Sequence, residues 1–171
     1  WKELREKTLQ NHWRLDFSSL DNFHKSTERS RTNLKKYLGK WHSDSFEVLD
    51  EESVITESNS SEITHVLLKS GIPDLVFDAY VVVPSKKNQY SKFAVITLHG
   101  HASSAEKLVG IGHEDYGRQM ALRFARQGFY VIVPNIISNK DINNAISAHA
   151  HIYGYSLLGI YSQFILSAQN F

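Results

Sequence analysis

Apolar and polar positions change their spacing near residue 62. Before that point, large apolar residues recur at helical intervals among charged and amide side chains, which predicts one or two amphipathic helices within residues 1–41. Residues 50–61 are polar and predict a turn or an edge segment. We therefore expect residues 1–61 to form a helical extension that packs on a larger body.

Two strand patterns follow in close succession. Residues 62–69 are apolar and partly β-branched, residues 70–74 carry the Ser, Gly, Pro and Asp of a turn, and residues 75–83 are again largely apolar. A connection this short joins antiparallel neighbours, because parallel strands need a long crossover. This part of the chain predicts a hairpin at the edge of a sheet.

A strand, a helix and a second strand are predicted next. Residues 92–98 and 129–133 are largely apolar, as expected for strands that are covered on both faces. Residues 114–127 carry one apolar helical face, and Gly128 follows where a left-handed residue closes a helix. Because a strand–helix–strand unit brings its two strands together in parallel, we predict the α/β class with a mostly parallel, twisted sheet.

Residues 155–171 again place apolar side chains at helical spacing and predict a terminal helix. A further strand is expected after it, because a layered α/β domain is stable only when its apolar faces are packed. We therefore expect residues 62–171 to be the N-terminal part of a longer domain, truncated after the fourth strand and the helix that follows.

Composition is that of a globular protein with one ordinary core. The 171 residues are 42% apolar and 22% charged. Lysine and arginine number 19 against 18 acidic residues, so the net charge of +1 argues against nucleic acid or an anionic membrane as a partner. No apolar run approaches the roughly 20 residues that cross a bilayer. The expected partner is a small molecule, and the oligomeric state is left open.

Cysteine is absent, which excludes disulfides, thiolate catalysis and zinc sites built on cysteine. The chain begins with Trp1 and not with methionine, so a leader removed earlier would leave no trace in it. The sequence therefore fits a cytoplasmic protein and a secreted one equally well.

Three short motifs occur in order along the second part of the chain. His-Gly-His-Ala-Ser-Ser at residues 99–104 directly follows the predicted strand 92–98. Arg-Gln-Gly-Phe-Tyr-Val-Ile-Val-Pro occupies residues 126–134, and Gly-Tyr-Ser-Leu-Leu-Gly occupies residues 154–159. Over residues 62–171, this ordered set resembles the α/β-hydrolase superfamily, and within it the branch of dienelactone hydrolases and acetyl xylan esterases.

The resemblance implies a serine ester hydrolase that works through an acyl-enzyme, without a cofactor or a metal ion. In that superfamily two backbone N–H groups stabilise the oxyanion, and one of them comes from the loop after the third strand. Carried over to this chain, that donor is the N–H of His101, and Gly100 lets the main chain turn sharply before it. His99, Ala102 and Ser103 would line the substrate site, with His99 as a buried, hydrogen-bonded packing histidine. Small lactone-like esters and acylated carbohydrates are the implied substrates.

Two features depart from the pattern of this superfamily. Asn135 stands where an Asp usually follows the Pro that closes the fourth strand, and residues 136–144 lack the usual glycines. Both departures concern the local loop structure and leave the fold prediction unchanged.

Ser156 lies in a near match to the nucleophile motif G-x-S-x-G. The second glycine of the motif comes one residue late, at Gly159, and residues 148–153 are mixed where a clean apolar strand should precede the serine. We therefore predict that Ser156 caps the terminal helix, with the role of nucleophile as the alternative. The nucleophile, acid and base are then expected C-terminal to this chain, and the chain by itself is predicted to be catalytically inactive.

Two other functions are weighed against the serine esterase. His99-x-His101 matches the first half of the His-x-His-x-Asp-His motif of metallo-β-lactamases, but serines occupy the Asp and the second His positions. His149-x-His151 also has a spacing that suits chelation, without a carboxylate cluster beside it. The third possibility is a non-catalytic, hydrolase-like binding protein, because the chain offers no complete triad.

Overall fold

A five-stranded mixed sheet with helices on both faces forms the centre of the protein. The structure, a computed structural model, describes residues 15–39, 46–54, 61–72, 75–100, 102–112, 116–136 and 140–170. Its strands are β1 (Glu47–Val54), β2 (Ser61–Lys69), β3 (Val76–Pro84), β4 (Ala94–Ile96) and β5 (Tyr130–Pro134). Its helices are α1 (Leu20–Leu38), α2 (Ala105–Leu108), α3 (Met120–Arg126), α4 (Lys140–Ile152) and α5 (Leu157–Asn170).

The strand order is β1-β2-β3-β5-β4, so β5 lies between β3 and β4. The α/β class, the antiparallel β2–β3 hairpin and the parallel β4–β5 pair are confirmed. The prediction that the hairpin lies at the sheet edge is wrong, because β1 pairs with the outer side of β2. The prediction of a mostly parallel sheet is wrong for the described strands, because β1–β2, β2–β3 and β3–β5 are all antiparallel. The physical reason is that β1, β2 and β3 follow one another through short connections, and only the crossover through α2 and α3 produces a parallel pair.

The two faces of the sheet bury separate apolar clusters. One face packs against α2 and α3, through Ile63, Val82, Leu108, Leu122 and Val131 among others. The other face packs against α4 and α5, through Val66, Phe77, Ile132, Ile160 and Phe164 among others. On that second face the rings of Phe77 and Phe164 stack with their centroids 4.4 Å apart. Successive side chains of β2, β3 and β5 therefore alternate between two helical layers.

Residues 1–61 are predicted to form a helical extension, but the described part of this extension is not wholly helical. It contains α1 and also β1, which pairs with β2 along the sheet edge. Seven of the eight side chains of β1 are exposed, so this strand is held through its backbone. An edge strand of this kind carries no apolar alternation, which is why its sequence predicts only a turn or an edge segment.

The predicted strand 92–98 is shorter in the structure and lies at the sheet edge. Residues 94–96 form the ladder with β5, and Phe93 and Thr97 each add one backbone hydrogen bond to it. Phe93 and Leu98 are 53% and 41% exposed. The prediction that this strand is covered on both faces is therefore wrong. Gly128, in contrast, has a φ of 104°, which confirms that it closes α3 in a backbone conformation that favours glycine.

Residues 140–152 form the amphipathic helix α4, which the sequence did not predict. The terminal helix predicted for residues 155–171 is confirmed as α5. Among the described residues, we find no helix that combines the length and the apolar character needed to cross a membrane.

Candidate active site

The loop between β4 and α2 begins at the carboxyl end of β4. The N–H of Thr97 donates to the carbonyl of Ile132 on β5 at 2.9 Å, which extends the pairing of the two strands by one residue. His99 and Gly100 come next, and Asn135 leaves β5 at the same edge. In open α/β sheets, ligands bind in the crevice outside the carboxyl ends of the parallel strands. The candidate site is therefore the edge of the sheet at which β4 and β5 end.

Three polar side chains in this loop are buried, with 3% of Thr97, 9% of His99 and 5% of Ser103 exposed. Within the described residues, Thr97 Oγ1, His99 Nε2 and Ser103 Oγ have no hydrogen-bond partner. A buried polar atom without a partner costs about 1–3 kcal/mol. Such atoms therefore require a structural or functional reason.

His99 is buried as predicted, and its ring makes one contact with the neighbouring main chain. Nδ1 lies 3.2 Å from the carbonyl oxygen of Gly100. Because a carbonyl oxygen only accepts, this contact assigns the ring proton to Nδ1 in the neutral imidazole. Nε2 is then an acceptor, and it points into the buried part of the loop.

The backbone conformation of Gly100 does not itself demand glycine, in contrast to the sharp turn that the sequence suggested. Its φ is not in the left-handed region, in contrast to five other glycines of the described chain. A Cβ at this position would overlap the hydroxyl of Tyr116. That hydroxyl is the end of an exposed side chain, so the overlap is relieved by a rotation of Tyr116. The carbonyl of Gly100 accepts from the N–H of Ser103 at 3.1 Å, which closes the turn.

Of the other predicted site residues of this loop, Ala102 and Ser103 are described by the structure and His101 is not. Ala102 is exposed and Ser103 is buried, so they lie on opposite sides of the turn. His101, the predicted oxyanion donor, lies outside the described residues. Its role therefore stays a prediction.

A polar network that the sequence did not predict lies beside this loop. Asp78 Oδ2 contacts His65 Nε2 at 3.1 Å and accepts from Asn135 Nδ2 at 3.0 Å. Asn135 Nδ2 also donates to Glu106 Oε1 at 3.4 Å. These four residues, which we call the Asp78 network, join β2, β3, α2 and the end of β5. Sequence reasoning missed them because they are far apart in the chain and form no motif.

Tyr80 lies beside the Asp78 network, and its ring centroid is 4.9 Å from that of His65. Burial, followed by the charges of Glu106, Asp78 and Glu52, raises the pKa of Tyr80 to about 12. Each of these effects disfavours the tyrosinate. The carboxylates of Glu106, Asp78 and Glu52 therefore act on Tyr80 at this edge of the sheet.

Asn135, the departure from the superfamily pattern, has a physical explanation in these contacts. Its two amide hydrogens face two carboxylates, those of Asp78 and Glu106. An Asp in its place would bring a third carboxylate against them and would have no hydrogen to donate when ionised. An amide therefore suits this position better than a carboxylate.

Ser156 caps α5, as predicted. Its Oγ accepts from the N–H of Gly159 at 3.0 Å and donates to the carbonyl of Leu38 at 2.7 Å. A hydroxyl whose proton is held by a carbonyl is not delivering it to a base, whereas a serine nucleophile requires a base as its proton acceptor. The contacts therefore favour the capping role over the alternative role of nucleophile.

The His149-x-His151 pair lies on α4, where residues two apart point about 200° away from each other. His149 Nδ1 contacts the carbonyl of Ala145 at 2.8 Å within the same helix. Across the part of the chain that the structure describes, no group of three or more His, Cys, Asp or Glu side chains has the arrangement of a metal site. This geometry disfavours the chelation of one ion by the pair, and the metal-dependent alternative stays a hypothesis.

The chain was compared with protein-family models, with curated proteins and with solved structures. Neither a protein-family model, nor a curated protein, nor a solved structure matches this chain. Function is therefore argued from the residues of the site and their geometry, because fold alone does not determine chemistry.

Proposed function

We propose that the protein is a carboxylic ester hydrolase of the α/β-hydrolase type, which acts through an acyl-enzyme on serine. The observation that carries the proposal is the loop 97–103. It starts at the carboxyl end of β4, beside the parallel strand β5, and it buries polar atoms of Thr97, His99 and Ser103 that have no partner among the described residues. This is the location and the composition expected of a loop that meets a reacting group.

The chemistry assigned to this loop is stabilisation of the oxyanion. When a serine attacks an ester, the carbonyl oxygen gains negative charge, and backbone N–H groups aimed at it lower the barrier by about 2.7–4 kcal/mol each. By the resemblance, the N–H of His101 supplies one donor, and the residue after the nucleophile supplies the other. The triad residues are expected in other parts of the protein.

His99 has a supporting role in this proposal. Its Nε2 is an acceptor, so it can hold an O–H or N–H group but cannot stabilise an oxyanion while it is neutral. It therefore orients a donor of the protein or of the substrate, and the backbone amide of His101 stabilises the oxyanion.

The substrate class is proposed from the resemblance alone. Small lactone-like esters and acylated carbohydrates are the compounds to compare first. Short-chain nitrophenyl esters test the reaction type before the natural substrate is known.

The experiment uses the full-length protein that contains this chain. We expect turnover of a short-chain nitrophenyl ester and labelling by a fluorophosphonate probe, which reacts with an activated serine. Absence of both would overturn the proposal and would favour the non-catalytic binding protein. Stoichiometric zinc in the purified protein, with activity lost on chelation, would instead favour the metal-dependent hydrolase.

A pair of variants at one position separates backbone from side-chain effects. His101→Pro removes the N–H, whereas His101→Ala keeps it and removes only the imidazole. We expect kcat to fall by roughly 10²–10³ in His101→Pro and to change little in His101→Ala. Equal activity of the two variants would show that the oxyanion donor lies elsewhere, provided that both have the circular dichroism spectrum of the wild type.

A further inference from the structure

We propose that Asn135 is a positioning residue, whose side-chain amide joins Glu106 to Asp78 and thereby holds the loop 97–103 at the carboxyl edge of the sheet. This inference rests on the proposed function, because it assigns a role in placing the oxyanion loop. Asn135 itself is not expected to touch the substrate.

The backbone of Asn135 is anchored before its side chain acts. Its N–H donates to the carbonyl of Asp78 at 2.9 Å, one residue beyond the pairing of β5 with β3. The side chain then returns to the same residue, with Nδ2 3.0 Å from Asp78 Oδ2. Two contacts with one residue fix the direction of the amide, so its second hydrogen is aimed at Glu106 Oε1, 3.4 Å away.

Glu106 connects this amide to the loop. It is the second residue of α2, and α2 begins directly after Ser104. Ala105 and Leu108, on either side of Glu106 in this one-turn helix, are buried against the sheet. Glu106 lies only two residues after Ser104, so a displacement of Glu106 is passed directly to the end of the loop. The proposal follows from this short path between Asn135 and Ser103.

Charge explains why the amide cannot be replaced by an acid of the same shape. Asp78 and Glu106 present carboxylates to Asn135, and His65 Nε2 contacts the same Oδ2 atom of Asp78 at 3.1 Å. Among the described residues, Tyr80 on β3 and Glu52 on β1 also lie beside this network. Asn135→Asp would therefore introduce a carboxyl group whose ionisation two neighbouring carboxylates oppose.

The test compares Asn135→Asp with wild type in the full-length protein as a function of pH. At neutral pH we expect kcat to fall by at least about tenfold with little change in KM, because the loop is displaced from its working position. As the pH falls, the introduced carboxyl takes up a proton and again donates a hydrogen bond. The ratio of variant to wild-type kcat should therefore rise toward one on acidification.

Two further variants distinguish positioning from a general loss of stability. Asn135→Ala removes the amide without adding charge, so its kcat should fall without recovery at low pH. Adding Glu106→Gln to Asn135→Asp restores an amide opposite a carboxylate and should recover part of the lost kcat. Asn144→Asp, on the exposed surface of α4, is the matched control and should behave as wild type at every pH.

The proposal is overturned if Asn135→Asp has the wild-type kcat and pH profile, or if Glu106→Gln gives no recovery.

A second readout keeps the test independent of esterase activity. The amide chemical shifts of Gly100 and Ser103 should move in Asn135→Asp, and should move back on acidification or with Glu106→Gln. If wild type lacks turnover while these shifts respond, the proposed function fails and the positioning role stands. If wild type turns over the ester and the chemical shifts do not respond, the proposed function stands and the positioning role fails.

Discussion

The hydroxyl of Ser156 donates to the carbonyl of Leu38 at 2.7 Å, although 118 residues separate the two in sequence. The N–H of Ser156 donates to the same carbonyl at 3.2 Å, and Gly39 and Tyr155 form an isolated bridge beside it. The C-terminal end of α1 thus meets the N-terminal end of α5. Opposite ends of two helix dipoles face each other here, which adds a favourable electrostatic contribution. These contacts attach α1 to the core.

The first prediction concerns this attachment. Ser156→Ala removes the cap of α5 and one of the two hydrogen bonds to Leu38, and it should lower the free energy of unfolding by about 1–2 kcal/mol. Urea denaturation measures the change. Ser162→Ala is the matched control, because its hydroxyl only contacts the Leu158 carbonyl of the same helix. Equal losses in the two variants would contradict an attachment through Ser156. Ester hydrolysis by the full-length protein should survive Ser156→Ala, since the serine is a cap.

The second prediction reverses an ordinary rule for glycine. Replacing a glycine inside a helix by alanine usually stabilises it by about 1 kcal/mol. A Cβ at Gly159, however, would overlap the carbonyl oxygen of Leu38, which is main chain and cannot rotate away. Gly159→Ala should therefore destabilise the protein by about 1–3 kcal/mol, which is the usual cost of overpacking. A midpoint in urea above that of wild type would show that α1 does not dock at this point.

The third prediction concerns Gly100 and Tyr116. A Cβ at Gly100 would overlap the hydroxyl of Tyr116, but that side chain is 63% exposed and is free to rotate toward solvent. Gly100→Ala should therefore cost less than about 1 kcal/mol in stability. In a Tyr116→Phe background, which lacks the overlapping oxygen, the cost should be smaller still. A double-mutant cycle from urea denaturation gives the coupling, and strict additivity would show that the two residues do not meet.

The fourth prediction follows from the raised pKa of Tyr80. Its value of about 12 lies above the ordinary value of 10.0, first because of burial and then because of Glu106. Glu106→Gln should therefore lower the pKa of Tyr80 toward its ordinary value, and Glu52→Gln should do so to a smaller extent. The ultraviolet absorbance of tyrosinate during an alkaline titration, compared with that of Tyr80→Phe, measures the shift. Identical titration curves for wild type and Glu106→Gln would contradict the placement of the two groups.

The same pKa shift makes stability depend on pH in a defined window. The unfolded protein loses the Tyr80 proton near pH 10 and the folded protein loses it near pH 12. The folded state therefore binds more protons than the unfolded state between these values. Stability is retained below pH 10 and decreases as the pH rises toward 12, by up to roughly 2–3 kcal/mol for a shift of this size. In Tyr80→Phe, that part of the decrease should be absent.

The fold could be predicted from the sequence where a strand or helix is marked by its own apolar pattern and by clear turn residues at its ends. The runs that became β2, β3 and β5 are apolar between clear turn residues, and Gly128 marks the end of α3. Prediction failed for β1, because an exposed edge strand is held by backbone hydrogen bonds that leave no apolar pattern. Prediction failed for α4 because its apolar face is recognisable only from its packing against β3 and α5, which are distant in sequence.

The same division applies to the candidate site. The order of strand, His99-Gly100 loop and helix can be recognised in the sequence, because these residues are contiguous. The Asp78 network cannot, since Asp78 and Asn135 are 57 residues apart and Glu106 lies 29 residues from Asn135. Its members meet only because β5 is inserted between β3 and β4.

By itself, the sequence determined the α/β class, the hairpin, the parallel pair and the position of a polar loop at the end of β4. Each of these depends on spacing within a short segment, where side-chain size and backbone preference act locally. Tertiary structure alone decided that most of the described strands run antiparallel, that Ser156 binds Leu38, and that Asn135 lies between two carboxylates. These relationships depend on the order of strands in the sheet, and that order is set by the packing of segments that are distant in sequence.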